Sequence, residues 1–110
     1  MKTYSFTYYN IYGFGDVVEI KDFETDSEAM ANGRDLIEFY ANEVASRETW
    51  RSDFQSPSVT IDKWENGYPN KDTFGTDDEV EPIATADIVA EFSDKGEFIK
   101  YITYDFESNE

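Results

Sequence analysis

Between Thr25 and Ala45 the chain reads TDSEAMANGRDLIEFYANEVA, its one stretch with a sustained helical period, while the segments on either side alternate like strands. A single helix among strands can bury its apolar stripe only against a sheet, which constrains the fold before any other residue is considered. Thr25 followed by Glu28 forms a capping box, the hydroxyl taking one free amide of the first turn and the carboxylate reaching back to another. Asp26 and Glu28 also suit the positive end of the helix dipole. At about 100° per residue, Ala29, Met30, Gly33, Leu36, Ile37, Tyr40, Ala41 and Val44 gather on one side. Glu28, Asn32, Asp35, Glu38, Asn42 and Glu43 fall on the other, with Phe39 among them. Gly33 costs about 1 kcal/mol against alanine in mid-helix, so a close approach of helix to sheet is expected there. Arg47 and Arg51 follow at the negative end of the dipole.

Lys2 to Tyr9 puts Tyr4, Phe6 and Tyr8 on one face and Thr3, Ser5, Thr7 and Tyr9 on the other, the period of a strand. After a turn with two glycines, Val17 to Phe23 is a second strand with Val18 and Ile20 directed inward, the two forming a hairpin that leads into the helix. Arg47 to Pro57 is polar and irregular, with Trp50 and Phe54 expected to pin it to the body. Ser58 to Trp64 is a third strand, Val59 and Ile61 opposite Thr60, Asp62 and Trp64, and Asn66-Gly67 ends it as a turn pair tolerant of positive φ. Residues 67–82 show no period. Ile83 to Phe92 is a fourth strand, with Ala84, Ala86, Ile88, Ala90 and Phe92 on one face and room for a helix over its alanines. Phe98 to Phe106 follows a tight turn at Ser93 to Gly96, and residues 107–110 are expected to fray. The fold class is therefore α+β: an antiparallel β-sheet of about five strands in the order β-β-α-β-β-β, with one α-helix packed on a face, in a single domain spanning 1–110.

Twenty-five acids against nine bases leave a net charge of −16. No direct nucleic-acid binding is expected from that balance, since affinity for phosphates comes from lysine and arginine displacing counterions; anionic membranes are disfavoured for the same reason. A positively charged partner is favoured. The N-terminus has no apolar signal core and no stretch is long and apolar enough to span a bilayer, which reads as a soluble, cytoplasmic protein.

Catalytic chemistry finds few reagents. Histidine and cysteine are absent, removing the commonest general base, the thiolate nucleophile and the usual metal ligands. No enzyme and no cofactor are expected. Asp72 to Glu81 is rich in carboxylates, yet it places Asp77 where a calcium loop of the EF-hand type requires glycine, and Ile83 where the bidentate glutamate belongs. A looser divalent-cation site there stays open. Gly13-Phe14-Gly15 has Val18 where a dinucleotide fingerprint needs its third glycine, and it precedes a strand. The same run departs from an RNA-recognition motif at Tyr12 and Asp16.

What remains is where the acids lie. Asp16, Glu19, Asp22, Glu24, Asp26 and Glu28 put six carboxylates into thirteen residues with only Lys21 between them. On a strand, Glu19 and Lys21 are expected on one face, with Asp22 on the face of Val18 and Ile20. Glu28, Asp35 and Glu43 continue the stripe along the helix, and Asp77, Asp78, Glu79 and Glu81 add a further acidic run. A row of carboxylates on rigid backbone is a sparser version of the phosphate field of a duplex, and Phe39, Phe14 and Tyr12 are aromatics able to anchor a protein interface.

In size, acidity and lack of cysteine the chain resembles the phage-encoded anti-CRISPR and anti-restriction proteins, several of which present carboxylates in place of phosphates. It is similar in the same way to bacterial immunity proteins that plug basic nuclease toxins. The resemblance implies a stoichiometric inhibitor, without cofactor, of a basic protein or nucleoprotein complex such as a nuclease or CRISPR effector, acting in the host-cell cytoplasm if phage-encoded. The alternative is an acidic accessory or structural domain, of phage or halophile type, whose charge serves only solubility.

Overall fold

Alternation along β1 (Lys2–Tyr9) gives the sheet its two faces: Tyr4 and Phe6 are fully buried on one, and Thr3, Ser5 and Thr7 occupy the other. The computed structural model describes residues 1–47, 55–68, 81–93 and 97–109, the side chains of 41–47 excepted. The elements that follow β1 are β2 (Gly15–Phe23), α1 (Asp26–Arg47), β3 (Ser58–Trp64), β4 (Ala84–Phe92) and β5 (Phe98–Ser108). The five strands form one antiparallel sheet in the order β2-β1-β3-β4-β5. The described residues thus make an α+β fold with a five-stranded sheet and one helix. β2 and β3 both pair with β1, so α1 connects two strands with a third lying between them.

The helix covers the face that carries Tyr4 and Phe6. Registers place Val59 opposite Tyr8, Ile61 opposite Phe6, and Ala86 and Ile88 opposite Ile61 and Val59. With Tyr4, Ala29, Ile37 and Ala90, the side chains of Phe6, Val59, Ile61, Ala86 and Ile88 make the core, each at 1% exposure or less, and Tyr8 packs against it partly buried. Burial of each large aliphatic here is worth about 1.5–3 kcal/mol. The alanines of β4 leave the space that α1 fills, as their spacing predicts. Gly33 is a point of close approach between helix and sheet: a Cβ there would lie 2.6 Å from Ile61 Cδ1 and 3.2 Å from Ile88 Cδ1. Side-chain absence, not backbone freedom, is what that glycine supplies.

Local chemistry closes the ends as expected. The Thr25 hydroxyl accepts from the Glu28 amide at 3.2 Å, the N-terminal half of the capping box. At the β1–β2 turn, Asn10 Oδ1 accepts from the amides of Tyr12 and Phe14 at 2.9 and 3.1 Å, and Gly13 takes φ 85°; Gly67 after β3 takes φ 90°.

Two expectations are corrected. β2 does not alternate cleanly, because a bulge between Phe6 and Thr7 of β1 leaves an extra residue on β2. Ile20 and Asp22 pair with Ser5 and Thr3 on the face away from the helix, while Glu19, Lys21 and Phe23 face the helix side with Phe6, Tyr4 and Lys2. Val18 packs on the core but Ile20 is 49% exposed; the bulge separates two residues that strict alternation would keep together. The second correction is the tail. Glu107 and Ser108 belong to β5, paired with Thr85 and Ala84, and Asn109 donates its backbone amide to the Ile83 carbonyl at 3.1 Å and its side-chain amide to the Pro82 carbonyl and Thr85 Oγ1, both at 3.0 Å. Trp50, Phe54, Arg51, most of the 67–82 segment and the centre of the 93–96 turn lie outside the described residues.

Candidate partner-binding surface

Glu28, Asn32, Asp35 and Phe39 follow one another at steps of four, three and four, so they form a single ridge along α1. Glu28 and Asp35 are exposed, and Phe39 is 61% exposed although it is a large aromatic. Its ring meets Tyr40 edge to face at 5.1 Å, and Tyr40 stacks on Tyr8 at 4.6 Å, so Phe39 stands on a supported base. Asp16 lies opposite Tyr8 in the sheet, which sets an acid near that aromatic stack.

One hydrogen bond joins this ridge to the sheet. Asn32 Nδ2 donates to Glu19 Oε1, possible only because the bulge turns Glu19 toward the helix side. The acids of β2 and those of the α1 ridge therefore adjoin. Asp16, Asp22 and Glu24 are exposed along or just after β2. The one base among them is Lys21, whose ammonium lies 5.4 Å from the centroid of Phe23. Glu38 lies on the other flank of the helix, toward β5, where its charge adds to burial in pushing up the Tyr101 hydroxyl pKa.

Not every carboxylate of the sequence row is available. Asp22 accepts from Thr3 Oγ1 at 2.6 Å on the face away from the helix. Asp26 accepts from the Tyr4 hydroxyl at 2.6 Å and pairs with Lys63 Nζ at 3.0 Å. Burial works against the charge of Asp26, but the hydroxyl and the ammonium outweigh it and hold the carboxyl below its usual value. Asp26 is thus a clamp between α1, β1 and β3, and contributes little outward field. The thirteen-residue row is split in three, with Asp16, Glu19, Glu24 and Glu28 reaching the helix side or solvent, Asp22 the opposite face, and Asp26 the seam between helix and sheet. Glu81 is exposed; Asp77, Asp78, Glu79 and the side chain of Glu43 lie outside the described residues, as does the run from Asp72 read as a possible cation site.

Two clusters are not anticipated by the sequence pattern, although the second includes Asp26 and Asp35 of the acidic stripe. On the sheet face away from the helix, Thr60 Oγ1 donates to Asp87 Oδ1 at 2.6 Å and Thr85 Oγ1 donates to Asp62 Oδ1 at 2.8 Å. The antiparallel register pairs Thr60 with Asp87 and Asp62 with Thr85, so two Thr-x-Asp segments bond reciprocally. Burial, with the neighbouring charge of Asp87, pushes the Asp62 carboxyl pKa up despite the Thr85 hydroxyl. The repeated Thr-x-Asp was the available signal. The second cluster is a groove of about 600 Å3 between α1 and β5, floored by Met30 and Phe106 and rimmed by Asp26, Arg34, Asp35 and Asp105. Arg34 sits among its acids, so this groove carries less unbalanced charge than the β2 side.

No protein-family model, curated protein or solved structure matches this chain. Among the described residues no group of three or more potential ligands could hold a metal ion, and no helix is long and apolar enough to cross a membrane.

Proposed function

We propose that the protein is a stoichiometric inhibitor that binds a basic nucleic-acid-binding protein or nuclease complex, of the anti-CRISPR or anti-restriction type, with carboxylates standing in for phosphates. The observation that carries this reading is the Asn32–Glu19 hydrogen bond. It joins the strand that carries Asp16 and Glu19 to the helix ridge that carries Glu28 and Asp35, and this supports reading these acids with Glu24 as one field, in which Lys21 on β2 and Arg34 beside Asp35 are the bases. Phe39 supplies at the edge of this field the exposed aromatic that a protein interface uses as an anchor. Long-range attraction speeds encounter with a basic surface, and the aromatic contact slows release. This version of the surface is narrower than the sequence row, because Asp26 is neutralised and Asp22 faces away from the helix.

The test begins with capture of partners from lysate and continues with the affinity of the captured partner between about 50 and about 300 mM salt, where charge-driven binding to a phosphate-like surface falls steeply. Reversal at Glu19 and Glu28 together is expected to weaken binding, roughly tenfold or more if each charge is worth about 1 kcal/mol at the interface. Phe39→Ala is expected to weaken it by more than about 1 kcal/mol without changing the melting temperature. Salt-independent affinity, or none for any basic protein, would remove the reading.

The second reading is an acidic domain whose charge serves solubility, and the internal engagement of Glu19, Asp22 and Asp26 favours it. The two part on a melt against salt. A domain adapted to brine gains markedly in stability at molar salt and is poorly folded in dilute buffer, whereas an inhibitor is folded in dilute buffer already.

A further inference from the structure

β2 is a terminal strand of the sheet, bonded to β1 on its inner side, and among the described residues no strand pairs with its outer side. Alternate backbone amides and carbonyls of such a strand point away from the sheet, a template for another extended chain unless something blocks it. Gly15–Phe23 contains no proline. The bulge at Val18 interrupts it, which leaves Glu19–Phe23 as the longer unbroken run. Side chains flank that edge on both faces: Val17 and Ile20 are 46% and 49% exposed, with Asp22 on the face away from the helix and Glu19 on the helix side.

Charge decides which chain such an edge accepts. A second copy set antiparallel against β2 brings one edge of net negative charge against another, because Asp16, Glu19, Asp22 and Glu24 outnumber Lys21 on each, and net like charge across a strand pair is destabilising. The edge therefore disfavours a second copy of itself. A lysine- or arginine-rich segment meets the reverse situation, its backbone satisfying the outward groups of β2, its cations beside Glu19 and Asp22, and its aliphatic stems over Val17 and Ile20. We propose that β2 is the docking edge, and that it adds an extended basic segment of the partner protein as a sixth strand. This rests on the reading of a basic partner given above and specifies how that partner is held.

Three short peptides of equal length separate the possibilities: one alternating lysine with threonine, one alternating lysine with proline, and one alternating glutamate with threonine. Each is titrated into the full chain at low salt, with backbone chemical shifts and amide hydrogen exchange as the readout. The lysine–threonine peptide is expected to slow exchange in Glu19–Phe23 and to bind roughly tenfold more tightly than the lysine–proline peptide, whose imides donate no hydrogen bond. The acidic peptide is expected not to bind. Equal affinity for the two basic peptides, with shifts confined to Glu28, Asp35 and Phe39 on α1, would overturn edge pairing and leave the charge-driven reading standing. Failure of both basic peptides to bind at low salt would remove both.

Discussion

The Tyr4 hydroxyl donates to Asp26 Oδ1 at 2.6 Å while Lys63 Nζ holds the same oxygen at 3.0 Å, so the first residue of α1 is tied to the two strands beneath it. The tie links the helix start, whose residues are legible from sequence, to the sheet, whose pairing is not. The Asp26 side chain is 46% exposed, so solvent screens part of this interaction. Tyr4→Phe is expected to cost about 1 kcal/mol, the value of a hydrogen bond, as read by urea denaturation at neutral pH. Because the carboxyl of Asp26 is lowered in the folded protein, its contribution is present above the ordinary carboxylate range and is lost as pH falls through the lowered value. Wild type and Tyr4→Phe should therefore converge in acid. An undiminished difference there would show that the tie acts through packing instead.

Asp62 carries the opposite sign. Its folded carboxyl is raised by burial and by Asp87, so the stability associated with it is present in its protonated form and is lost as pH rises through the raised value. Asp62→Asn removes the charge and keeps an oxygen that can accept from Thr85 Oγ1. The variant is expected to have a higher urea midpoint than wild type at neutral pH, with the gain disappearing in acid. A lower midpoint at neutral pH would mean that the reciprocal Thr–Asp bonds depend on the ionised form.

Gly33→Ala sets two effects against each other. Helix propensity improves by about 1 kcal/mol, but the new Cβ meets Ile61 Cδ1 at 2.6 Å in a core where overpacking costs about 1–3 kcal/mol. Ile61 is fully buried and has little freedom to yield, so net destabilisation of about 1 kcal/mol is expected. Ile61→Val deletes the methyl that is struck. The double variant should be more stable than the sum of the single effects, with coupling of at least about 0.5 kcal/mol in a double-mutant cycle.

Asn109 joins the end of β5 to the start of β4 through three hydrogen bonds. Asn109→Ala keeps the backbone bond and removes the two made by the side chain, an expected loss of about 0.5–1 kcal/mol at an exposed site. Amide exchange at Thr85 and Glu107 should quicken in the same variant. If neither the midpoint nor the exchange changes, residues 107–109 are held by the strand ladder alone.

The candidate surface was legible only in part. Glu28, Asp35 and Phe39 were found from the helical period because a helix carries its own hydrogen bonds, and a residue's face follows from its number. Glu19 belongs to the acidic row of the sequence, but its bond to Asn32 depends on a bulge that no local pattern announces. Asp26 belongs to the same row, and its clamp with Tyr4 and Lys63 exists only because β1 and β3 are adjacent. Asp62 and Asp87 went unnoticed as a site since their separation along the chain conceals a reciprocal pairing.

By itself the amino-acid order determined the helix and its cap, the close approach at Gly33, and which residues of β1, β3 and β4 share a face, because each depends on backbone geometry within a few residues; which face the helix covers was decided by the tertiary structure. It also determined the negative charge, and with it the class of surface this protein can attract. Tertiary structure alone decided which strands are neighbours, that β2 is an edge, how the bulge redistributes its side chains, and which carboxylates are spent on the fold. Those outcomes depend on hydrogen bonds and charges between segments far apart in the chain, whose meeting is governed by the packing of the whole domain.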